Sequence, residues 1–157
     1  MSTLEVLTWL QDSAVAHAIS KTDHMVGAGL QIIHVMGLVA LLASLVLISL
    51  HLLGLAFKHQ PTVEIAREST RLVWLGLTLT ALSGTLMFIA TPKLYFFNPA
   101  FRWKMLLFLV AVVVQLALFR RAARRDSPSP AFAKVSVAIS LAAWFSVAMA
   151  GRMIGFI

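Results

Sequence analysis

A chain of 157 residues that is 60% hydrophobic and only 12% charged has the composition of a membrane protein. Its net charge of +7 sits in short loops between apolar runs, so it sets topology rather than marking a nucleic-acid binder. The absence of cysteine excludes disulfides, Cys-ligated iron–sulfur clusters and covalently attached haem.

Residues 1–23 are mixed in character. Leu4, Leu7 and Leu10 fall near one helical face with Trp9 beside them, which predicts a short amphipathic helix on the membrane surface. His17 lies within it, and His24 lies at its junction with the first apolar run. Nothing here reads as a cleavable signal peptide.

Residues 25–57 contain no Asp, Glu, Lys or Arg and exceed the roughly 20 residues that a bilayer requires. This first span carries His34 and His51. Gly27, Gln31, His34, Gly37 and Leu41 recur at helical spacing and share one face. An ionisable side chain in lipid is costly, so this face is expected to look into a bundle.

A polar loop containing Pro61 and one short helical turn is expected over 58–71. The second span is predicted at 72–91, closed by Pro92. Gly76, Thr80, Ser83, Gly84 and Met87 line one of its faces, a pattern that suits close helix packing or the approach of a flat ligand. Residues 92–103 are expected to form an aromatic and basic interfacial loop. The third span is predicted at 101–119, with Lys104 in its first turn and Gln115 on the same face. The fourth is predicted at 135–151, with a mostly small-residue stripe of Ser136, Ser140, Ala143 and Gly151. Arg152 follows it.

Eight Lys and Arg residues lie in the loops after spans one and three, against five on the other side. The bias predicts both termini outside the cytoplasm. On that topology His34 shares the outer level with Met25, Met36, Met87, Met105, Met149 and Met153. Lys93, Arg102, Lys104 and Arg152 lie there too. One chemistry that fits is haem b. His34 ligates the iron, and Met87, Met149 or His24 competes for the second position. Arg152, Lys104 and Arg102 pair with the propionates, Gln31 orients His34, and Gly37 and Gly84 give room to the ring. Copper held by thioethers and imidazole is another. The plain alternative is that methionines fill gaps and His34 only hydrogen-bonds a neighbour. The spans hold no Asp or Glu for a proton relay, and no catalytic motif appears, so activity as an enzyme acting alone is not expected.

Three stretches, His34–Leu38 (HVMGL), Tyr95–Leu107 (YFFNPAFRWKMLL) and Ala150–Phe156 (AGRMIGF), resemble a family of small bacterial inner-membrane proteins known as a domain of unknown function. The layout is more loosely similar to small four-helix membrane families that hold haem b or are linked to copper handling. The resemblance implies a compact four-span bundle. It also implies a histidine near the end of span three, where this chain has Arg120. That departure tells against an inner-side ligand pair and leaves the His34 level untouched.

The expectation is therefore an all-α integral membrane four-helix bundle with an N-terminal amphipathic interfacial helix, residues 1–157 forming a single transmembrane domain. It would be a haem-b-binding subunit of the bacterial inner membrane, carrying electrons between an outer-side partner and the quinone pool. The alternatives are a cofactor-free assembly subunit of a larger membrane complex and a copper-binding membrane protein. The expected partners are the lipid bilayer, other subunits or further copies of the chain, and quinone, with no nucleic acid.

Overall fold

A computed structural model describes residues 2–21, 24–57, 59–123 and 130–156. Seven helices occur among them, and their ends follow local chemistry. Helix α1 (Thr3–Gln11) opens on a capping box. The Ser2 hydroxyl accepts from the Glu5 backbone N–H at 3.3 Å, and the Glu5 carboxylate accepts from the Ser2 N–H at 2.8 Å. Helix α2 (Ala14–Lys21) starts afresh, because the Ser13 hydroxyl accepts from the Ala16 N–H at 3.2 Å. The single surface helix expected from the sequence is thus two short ones. Leu7 of α1 and Ala16 of α2 are buried; α1 packs on α4 and α5, and α2 on α3 and α4.

Helix α3 (His24–Leu52) stops short of the predicted residue 57. Gly54 adopts φ +69, the Leu55 N–H donates to the Leu50 carbonyl at 2.9 Å, and the Gly54 N–H donates to the His51 carbonyl at 2.9 Å. These bonds form a Schellman ending, which satisfies the last carbonyls of a helix. Helix α4 (Thr62–Ala90) begins directly after Pro61, ten residues before the predicted start at 72. Polar residues 62–71, expected as loop, instead extend the helix. Helix α5 (Pro92–Phe97) occupies the expected aromatic loop, and α6 (Pro99–Ala123) and α7 (Pro130–Met153) follow. Proline at the first helical position of α5 and α6 marks each start where its missing N–H costs nothing.

Among the described residues, four stretches are long and apolar enough to cross a membrane: Met25–Leu52, Arg67–Ala90, Pro99–Ala117 and Lys134–Met153. Large apolar side chains such as Leu75, Leu82, Leu109 and Val113 point outward. In a bilayer that outward face is solvated by lipid. Helix α3 packs along α4 and α7, and α7 along α6. Among the described residues no Cα of α6 comes within 8 Å of a Cα of α3 or α4. The shared core is Leu41 and Leu45 of α3, Val73 of α4, Ala111 of α6, and Trp144 and Val147 of α7.

Polar groups in this core are satisfied inside the bundle. The Ser44 and Ser49 hydroxyls donate to the Ala40 and Leu45 carbonyls, four residues back. The Gln115 side-chain oxygen accepts from the Ser140 hydroxyl at 2.6 Å and from the Trp144 indole N–H at 3.2 Å. An indole N–H can only donate, so the amide orientation is fixed. Gln115→Leu orphans both donors and is expected to cost roughly 1–2 kcal/mol. Unfolding of the purified protein in mixed micelles reads this directly, and unchanged stability would show that the network carries no weight.

Candidate functional site

The four spans alternate in direction. Residues early in α3 and α6 therefore lie level with residues late in α4 and α7. His34 and Lys104 come from the first pair of helices, Ser83, Gly84 and Gly151 from the second. The structure gathers all five at one end of the bundle.

His34 is half-buried and both of its ring nitrogens have partners. Nδ1 lies 3.1 Å from the Ser83 hydroxyl, and Nε2 lies 3.3 Å from the Lys104 ammonium. With Lys104 charged, donor chemistry sets the arrangement. An ammonium has three donors and no lone pair, so Lys104 donates and Nε2 accepts. The neutral ring then carries its proton on Nδ1 and donates it to Ser83 Oγ. Ser83 in turn donates to the Leu79 carbonyl at 2.6 Å. The Thr80 hydroxyl donates to the His34 carbonyl at 3.4 Å.

One glycine makes this fit possible, and a second lies beside the Lys104 stem. A Cβ on Gly84 would stand 2.9 Å from His34 Cε1, so only glycine lets the imidazole lie against α4. A Cβ on Gly151 would stand 3.4 Å from Lys104 Cε and 3.5 Å from Nζ, so the Lys104 stem lies across α7 there. Lys104 is half-buried, and no ion pair between it and a carboxylate occurs among the described residues.

The stretches that carry the family resemblance build this end together. Asn98 caps α6, its side-chain oxygen accepting from the Ala100 N–H at 2.9 Å and the Phe101 N–H at 3.2 Å. Its amide donates to the Ile154 carbonyl at 3.4 Å, which ties the start of α6 to the chain just after α7. Phe101 stacks on Phe88, centroids 5.5 Å apart, and meets Tyr95 at 5.3 Å. These contacts set the start of α6 and so the reach of Lys104.

Other expected site residues lie elsewhere. Gln31 is exposed, and Ser83 takes the orienting role expected of it. Gly37 packs against the α4 backbone at Gly76 and Thr80, and the space beside Gly84 is filled by the His34 ring. Met149 is 63% exposed, and Met25 and Met36 also point out of the bundle, so these thioethers share a level without converging. Met87 is half-buried on α4, one turn beyond Ser83. Arg102 and Arg152 are exposed, and the Arg152 guanidinium sits 5.1 Å over the Phe156 ring. The side chain of His24 lies outside the described residues. Among the described residues no three His, Cys, Asp or Glu side chains gather as a metal site. The sequence pattern had placed Ser83 and Gly151 in packing stripes. Their link to His34 and Lys104 depends on how the helices face one another.

No curated protein and no solved structure matches the chain. A family model described as a family of unknown function, DUF6644, matches residues 6–157. With nearly the whole chain covered, this four-span membrane protein belongs to that family.

Proposed function

We propose that the protein is a haem-b-binding subunit of the bacterial inner membrane that passes electrons between an outer-side partner and the quinone pool. One observation carries the reading: the imidazole of His34 lies inside the bundle with Nδ1 3.1 Å from the Ser83 hydroxyl and Nε2 on its far side, 3.3 Å from Lys104 Nζ, an arrangement that suits a proton on Nδ1 and a lone pair on Nε2. A ligand histidine needs that tautomer, with its second nitrogen fixed by a neighbour. Haem, when bound, supplies the one-electron chemistry. His34 supplies the donor atom, Ser83 its orientation, and Gly84 the room for the ring to stand against α4. Arg102 and Arg152 at the same end suit the propionate carboxylates.

A second reading, a cofactor-free assembly subunit, is favoured by the fact that both His34 nitrogens already have protein partners. Copper finds less support, because Met25, Met36 and Met149 point outward. Metal analysis of the full-length protein purified from haem-replete cells separates the three. About one iron per chain is expected; copper in its place, or no metal, would reject the haem reading.

The Lys and Arg bias puts both termini and the His34 end on the periplasmic side. Reporter fusions after Asn98 should therefore read periplasmic, and fusions after Arg125 cytoplasmic. The reverse pattern would place the site at the cytoplasmic face and change the electron donor.

A further inference from the structure

We infer that the cleft between α4 and α6 binds one phospholipid of the bilayer, whose ester carbonyl oxygen accepts a hydrogen bond from the Gln115 amide nitrogen. The ring of four spans is not closed. Helix α3 packs along α4 and α7, and α7 along α6, while no described Cα of α6 comes within 8 Å of one in α4. Trp74 and Leu77 of α4 and Val112, Gln115 and Leu116 of α6 line the resulting cleft, and Trp144 of α7 closes its back. Counting its open mouth, the cleft holds about 260 Å³.

Gln115 is the polar group in this apolar cleft, and it is only 8% exposed. Its side-chain oxygen is occupied by the Ser140 hydroxyl and the Trp144 indole N–H. The amide nitrogen, on the other edge of the group, carries two donors. Among the described residues neither of them makes a hydrogen bond. A donor within the hydrocarbon layer has no water to turn to, and leaving it unpaired is costly. The acceptor therefore has to arrive with whatever enters the cleft. Gln115 lies two residues before the end of the apolar stretch Pro99–Ala117, about 3 Å along the axis. Its partner Ser140 lies six residues into the stretch Lys134–Met153. That depth is the edge of the hydrocarbon layer, where phospholipid ester carbonyls sit and acyl chains begin. The small enclosed space suits one extended chain rather than a ring system. The site lies at the end of the bundle away from His34 and does not depend on the haem reading.

The test offers the full-length protein, in mild detergent, an equimolar mixture of diester and diether phosphatidylcholine of equal chain length. Bound lipid is counted by native mass spectrometry. The diether has the same headgroup and chains but no carbonyl oxygen. Wild type should retain one lipid per chain and favour the diester roughly two- to tenfold, the range expected of one neutral hydrogen bond. Gln115→Leu should bind the two lipids equally. Ser140→Ala weakens the same network but keeps the amide nitrogen, so it should keep the preference, which separates lipid recognition from a loss of packing. Val112→Trp leaves Gln115 in place and fills the cleft, so it should lose both lipids. Equal binding of diester and diether by wild type overturns the assignment. So does a preference that persists in Gln115→Leu, lipid retained by Val112→Trp, or a quinone carried by the purified protein in place of phospholipid.

Discussion

His34→Ala is expected to abolish haem binding, dropping the haem-to-protein ratio from near one to background. The substitution removes the imidazole held where α3, α4, α6 and α7 bring Ser83, Gly84, Lys104 and Gly151 together. It also leaves the Lys104 ammonium without its acceptor, and an unpaired charge within the bundle turns toward the membrane interface. Insertion should be unaffected, because apolar runs and loop charges set topology. His51 lies 17 residues further along α3, about 25 Å away along the axis, so His51→Ala should spare haem. The opposite pattern, haem kept by His34→Ala and lost by His51→Ala, would move the site to the other end of the bundle.

The second large effect is expected at the α3–α4 crossing. A Cβ on Gly76 would stand 2.5 Å from the Gly37 carbonyl oxygen and 2.7 Å from the Leu41 backbone nitrogen. The obstacles are backbone atoms, which a rotamer change cannot move, so the helices themselves must part. Small residues at such crossings are what let membrane helices approach. Gly76→Leu should therefore cost roughly 2–3 kcal/mol, the upper part of the range for overpacking. Ser83 and Gly84 lie two turns further along α4 and depend on that crossing for their register with His34. The variant should thus lose haem affinity as well as stability. Gly27→Leu is the control, since nothing lies within 4 Å of a Cβ there. Equal stability of Gly76→Leu and Gly27→Leu would show that the crossing is not tight.

The number of spans and their order were legible because a bilayer demands long apolar runs, and the runs here are separated by charge and proline. Ends were harder to read. Polar residues 62–71 look like loop, yet they continue α4, because a helix outside the hydrocarbon layer needs no apolar residues. The start of α2 depends on one hydroxyl, Ser13, which a hydrophobic pattern does not register.

The candidate site was half legible. His34 and Lys104 stand out as polar residues in apolar runs, and their shared level follows from alternating direction. The partner of His34 did not follow from spacing. Gln31 sits one turn away on the same helix, but its side chain is exposed. Ser83 is 49 positions distant and wins because α4 presses its Ser83–Gly84 face against the ring. Rotation of one helix about its axis decides such contacts, and periodicity within a single helix does not contain it. The methionines show the same limit: depth placed them together, while rotation turned Met25, Met36 and Met149 outward.

The proposed ligation of haem b by His34 is tested most directly by the dithionite-reduced minus oxidised absorption spectrum of the purified full-length protein. A Soret band that shifts on reduction and sharp α and β bands are expected, all lost in His34→Ala. A wild-type protein with no Soret absorbance, or a spectrum identical in wild type and His34→Ala, would contradict it.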